Sequence, residues 1–116
     1  MKLKEFRHHM ESYRRASDEE AASLKDSYVA LDRLHSLYRK FDADERTMAD
    51  QVLAEWALSE DENLRFDALA LVEDFKIAGV VPTLQLLAIR LTSSSAPGAP
   101  YELKKVHRII RNLTNA

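Results

Sequence analysis

The sequence predicts an all-α protein of five or six antiparallel helices. Three observations carry this expectation. Only two of the 116 residues are glycine and three are proline. Apolar residues recur at three- and four-residue steps through most of the chain. Acid-rich capping signals punctuate that pattern. So few glycines cannot supply the tight turns of a sandwich or barrel. A composition of 46% apolar and 31% charged residues is globular rather than disordered. The length reads as one helical domain, 1–116, able to bury roughly two-thirds of its unfolded surface.

Each element follows from its own pattern. Leu3, Phe6, Met10 and Tyr13 make one stripe and predict a helix over 2–15. Ser17-Asp18-Glu19-Glu20 fits a capping box, predicting a second helix from there to about Lys40. Its inward stripe would be Leu24, Tyr28, Leu31, Leu34, Tyr38 and Phe41. Asp42 with Glu45 repeats the capping logic for a third helix over 43–58, with Met48, Ala49, Val52, Leu53 and Trp56 inward. Ser59-Glu60-Asp61-Glu62 reads as a third box, opening a helix over 60–76 with Leu64, Ala68, Leu71, Val72 and Phe75 inward. Gly79 suits a left-handed helix stop, and Pro82 suits the first turn of a helix over 81–92. Thr92 to Pro100 reads as a flexible linker, with three serines, two prolines and a glycine. A last helix over 101–113 would turn Leu103, Val106, Ile110 and Leu113 inward.

Composition and spacing exclude several chemistries. Without cysteine there is no disulfide framework, thiolate zinc site or thiol nucleophile. Gly79 and Gly98 lie too far apart for a phosphate loop or a nucleophile elbow. His8 and His9 are adjacent, so on a helix they point about 100° apart and chelate poorly together. Asp32 and His35 share a face, but a di-iron bundle needs two Glu-x-x-His units and two further carboxylates, which the chain does not supply. Paired acids such as Asp42 and Asp44 are explained as helix caps. No cofactor or metal is expected, and no enzyme activity. The basic, charged start does not read as a signal peptide, and no stretch has the roughly 18 apolar residues of a membrane span. The expected location is cytoplasmic.

Charge is unevenly spread around a net of −2: residues 1–16 carry +3, residues 17–75 carry −10 and residues 76–116 carry +5. An acidic centre of this kind suits a basic partner, and it also suits solvated helix faces. Lys104, Lys105, Arg108 and Arg111 form a basic stripe that could meet phosphate or complement a helix dipole. Trp56 lies on an inward stripe and reads as core, whereas Tyr101, just after the linker, is a candidate contact.

The segment from Asp61 to Leu87 resembles a HEAT-like helical repeat. The resemblance rests on Asp61, Leu64-Arg65, Ala68, Leu71 and Phe75 in one helix, and on Val81-Pro82, Leu84 and Leu87 in the next. It implies paired antiparallel helices stacked as α-hairpins, the alternative being a compact helical bundle. It also implies a surface for binding other proteins, less often nucleic acid.

The expected function is therefore non-catalytic protein binding. Its most specific form is a bacterial immunity protein that binds and neutralises a basic toxin domain. The residues expected to meet that partner are Asp50, Glu55, Glu60, Asp61, Glu62 and Asp67. The alternatives are a self-associating adaptor, a homodimer for example, and a nucleic-acid binder using the C-terminal stripe.

Overall fold

The computed structural model describes residues 2–24 and 27–114, and the side chains of 23–28 lie outside the described set. Six α-helices and one 3₁₀ turn make up the described chain, with no strand among the described residues. The helices are α1 (Leu3–Leu24), α2 (Ser27–Lys40), α3 (Ala43–Ala57), α4 (Glu62–Asp74), α5 (Val81–Thr92) and α6 (Ala99–Thr114). The fold is all-α, as the periodicity predicts. None of these helices is long and apolar enough to cross a membrane. Residues group into two compact units, Met1–Val52 and Leu53–Ala116, with the division inside α3.

In the first unit α1 and α2 form a hairpin. Phe6 near the start of α1 meets Phe41 just past the end of α2, ring centroids 5.0 Å apart, so the two helices run antiparallel. The expected break at Ser17 is absent, because α1 continues through it to Leu24. Ser17 sits on the buried stripe of Phe6, Met10 and Ala21, where ending the helix would strip those side chains of their common face. Its hydroxyl donates back to the Tyr13 carbonyl at 2.8 Å instead of capping. Glu20, the other half of the expected box, pairs with Arg33 on α2. Leu24 and Tyr28 of the expected stripe lie outside the described side chains. The box at Asp42 forms as expected: Glu45 N–H donates to Asp42 Oδ1 at 2.8 Å and Asp42 N–H to Glu45 Oε1 at 3.0 Å.

In the second unit the cap of α4 is Asp61, two residues beyond the expected Ser59. Its carboxylate accepts from the N–H groups of Asn63 and Leu64. Ser59 Oγ accepts the Asp61 N–H at 3.1 Å, which fixes the approach to the cap. The left-handed stop also moves. Gly79 lies in the 3₁₀ turn Ala78–Val80 without a positive φ, and the left-handed residue is Lys76, with φ 52°. Lys76 N–H reaches Glu73 O at 3.3 Å and Ile77 N–H reaches Val72 O at 3.0 Å, the paired bonds of a Schellman stop. Ile77 and Val72 are both buried, so an apolar contact position fixes where the helix turns rather than the nearest glycine. Pro82 falls in the first turn of α5 as expected.

In this unit α5 packs along α6, the two joined by the six residues 93–98. Their buried residues are Leu84, Leu87, Ala88 and Leu91 on α5 and Ala99, Val106, Ile109 and Leu113 on α6. Side-chain links between α4 and α6 rise together in both sequences, from Arg65–Glu102 to Glu73–Arg108. The two helices therefore run in the same direction.

Lys76 holds a conformation that costs a side-chain-bearing residue about 1–2 kcal/mol, while glycine also loses some backbone entropy on folding. Lys76→Gly should therefore raise unfolding free energy by about 0.5–1 kcal/mol, read by urea denaturation. A loss of stability would show that the Lys76 side chain outweighs the strain.

Candidate partner-binding surface

The six acids expected to meet a partner have different local roles. Asp50 lies in the first unit, half-buried, and accepts a 2.8 Å hydrogen bond from Tyr38 Oη. The other five belong to the second unit. Asp61 caps α4. Glu55, Glu60 and Glu62 are exposed, and Asp67 is half-exposed on α4. Glu60, Asp61 and Glu62 are contiguous at the start of α4, so the structure holds them as one acidic edge.

That edge is fixed by Arg65. Its guanidinium grips Glu102 with both arms, Nε to Oε1 at 2.6 Å and Nη2 to Oε2 at 2.9 Å. The remaining arm, Nη1, donates to the carbonyls of Ser59 and Glu60 at 3.0 and 3.1 Å. A second cation, Arg90 on α5, donates to Leu58 O at 2.6 Å. The last turn of α3 has no basic residue of its own, so the carbonyls just past its end are met by cations from α4 and α5. The Arg65 and Glu102 side chains keep only 15% and 14% of their exposure, which shields the pair from solvent screening. The hydrogen bonds that Arg65 donates to Glu102 hold its pKa above the ordinary value, against the opposing effect of burial.

Above this clamp runs a groove of about 260 Å³. Phe66 and Leu69 of α4, Tyr101 and Lys105 of α6, and the carboxylates of Glu62 and Glu102 line it. Leu69 is buried and forms its apolar floor. Phe66 is 53% exposed and Tyr101 79% exposed, high values for aromatic side chains flanking one cleft. Lys105 lays its ammonium over the Phe66 ring, 4.2 Å from the centroid. Burial depresses the Lys105 pKa, partly opposed by the charges of Glu73 and Glu102. Tyr101 is the contact candidate anticipated from its place after the linker. Phe66 lies outside the expected inward stripe, an aromatic residue two positions off the line through Leu64 and Ala68.

The basic stripe of α6 is divided. Arg108 pairs with Glu73 at 3.1 Å and Lys105 covers Phe66, while Lys104 and Arg111 are exposed. Trp56 is buried, as its stripe position predicts. His35 is buried with Nδ1 2.9 Å from the Leu31 carbonyl, a core histidine bonded to its own helix. His8 and His9 are exposed, and so is Glu5, which shares i,i+3 spacing with His8. No group of three His, Asp or Glu able to hold a metal ion occurs among the described residues.

In the first unit, burial raises the Asp50 pKa, while the Tyr38 hydrogen bond and the nearby Arg46 charge lower it. The Tyr38 hydroxyl is pushed well above its ordinary pKa by burial and by its bond to Asp50. Arg46 stacks over the Tyr38 ring at 5.2 Å.

No family model, curated protein or solved structure matches the chain.

Two outcomes are expected. Arg65→Lys keeps the charge but loses the bidentate fork, and should cost about 2 kcal/mol in chemical denaturation. A cost under about 0.5 kcal/mol would show that the clamp does not hold this unit together. Asp50 behaves oppositely to a salt-bridged carboxylate. Its folded pKa is raised, so its protonated form is favoured in the fold and that contribution is lost as pH rises through the folded value. Tyr38→Phe removes a bond that lowers this pKa. It should therefore destabilise by about 1 kcal/mol at pH 7 and by less near pH 4. An equal loss at both pH values would rule out the link to Asp50.

Proposed function

We propose that this chain is a non-catalytic protein-binding module, whose partner docks on the groove between the start of α4 and the first turns of α6. The observation that carries the reading is the exposure of Phe66 and Tyr101 along one cleft, beside a fixed acidic edge. Exposed aromatic residues at a preorganised site are favoured binding anchors, because a partner gains large apolar contact for little lost side-chain freedom. Arg65 supplies the preorganisation, holding the two helix starts that bear the cleft.

The sharper form of the proposal is an inhibitor of a basic protein, a bacterial immunity protein that occludes a toxin domain in the cytoplasm. The exposed acids Glu55, Glu60 and Glu62 and the acidic balance of residues 17–75 support it. They would steer a basic partner to the cleft and hold off acidic ones. The HEAT-like pattern of Asp61 to Leu87 fits a binding role as an analogy of fold. A second reading, self-association, rests on a different observation: Leu86 and Ile89 stand 58% and 67% exposed one turn apart on α5.

The test is to place a photo-crosslinking phenylalanine analogue at Tyr101, at Leu86 and, as a control, at the exposed Glu19. A single foreign protein captured from position 101 alone supports the groove. Capture of a second copy of the chain from position 86, with nothing from 101, would replace the groove reading with self-association.

A further inference from the structure

We infer that the partner enters the groove with a lysine or arginine side chain, which takes over the place that Lys105 occupies in the free chain. The inference rests on the protein-binding reading above and names the chemistry of its contact. Three observations point to a cation. The Phe66 ring already carries an ammonium, from Lys105 at 4.2 Å, so the face accepts a cation sterically and electrostatically. Phe66 nevertheless stays 53% exposed and the neighbouring Tyr101 79%, leaving aromatic surface beyond what Lys105 covers. Glu62 is an exposed groove acid that accepts no hydrogen bond among the described residues, unlike Glu102, which is held by Arg65.

Charge decides between a cationic and an anionic visitor. Glu102 is tied to Arg65, so the balance along the groove lies between Lys105 and Glu62, the lining acid that accepts no hydrogen bond among the described residues. Moving Lys105 off the ring leaves the groove without its ammonium beside Glu62, and an incoming cation restores one. An incoming carboxylate would instead be set against the Glu62 carboxylate on the groove wall. Burial already weakens the hold on the Lys105 proton, so its ammonium gains hydration on leaving the groove. The volume of about 260 Å³ admits one long side chain, below the range of roughly 300–1,000 Å³ usual for small-molecule sites. Lys105 thus acts as an internal placeholder that a partner's cation displaces.

The test uses the full chain and two probes, Nα-acetyl-lysine methylamide and its uncharged norleucine counterpart. Binding is followed through the ring resonances of Phe66 and Tyr101. Lys105→Met should show saturable shifts with the lysine probe and tighter binding than the parent chain, by about two- to fivefold. Adding Glu62→Gln to that variant should weaken the lysine probe by a similar factor and leave the norleucine probe unchanged. Equal binding of the two probes, or no shift with either while the variant's thermal melt matches the parent, overturns the inference. Lys105→Gln repeats the measurement if the methionine variant does not fold. A foreign protein crosslinked from position 101 despite a negative probe titration would leave the binding module standing and remove only the cation.

Discussion

One part-buried guanidinium ties three places of the second unit together. Arg65 brings a planar fork to a place where two carboxylate oxygens and two main-chain carbonyls converge. Lysine could satisfy only part of that set, since it offers a point charge rather than a fixed geometry. The consequence is positional. The carbonyls beyond α3, the first turns of α4 and the first turns of α6 share one donor. The side chains they carry cannot drift independently. Because the pair is largely shielded, its geometry persists where exposed ion pairs such as Arg33–Glu20 contribute little.

The same arrangement gives the acidic centre two different meanings. Asp42 and Asp61 are helix caps, and their charge is used locally by backbone N–H groups. Asp50 is tied to Tyr38 within the first unit. Glu60 and Glu62 remain exposed on the edge that Arg65 fixes, and Glu62 lines the groove with the two exposed rings. An acidic surface therefore matters here through position rather than through total charge. Lys105 belongs to the same logic: it covers apolar surface with its stem and aromatic surface with its charge.

Much of the fold was legible because helix formation is local. Periodicity placed α3 to α6 within a few residues, and the reciprocal bonds of Asp42 and Glu45 follow from their spacing alone. Two of the three misplacements share one cause. Ser17, Ser59 and Gly79 all have the local chemistry of a helix boundary, yet each boundary falls elsewhere. At Ser17 the buried stripe continues. At Gly79 the buried Ile77 and Val72 end the helix early and leave Lys76 in the left-handed conformation. Tertiary burial involves many atoms, whereas a cap contributes about one hydrogen bond.

The sequence by itself determined the helical class, the core role of Trp56, the cap at Asp42 and the separation of an acidic centre from basic ends. These depend on side chains within a turn or two of each other. Only the tertiary structure decided that Arg65 meets Glu102, that Lys105 covers Phe66, and that Tyr101 opens onto the same cleft as Glu62. Those partners lie more than thirty positions apart in sequence. No periodicity encodes which face of α6 meets α4, because that choice is set by how α5 and α6 pack.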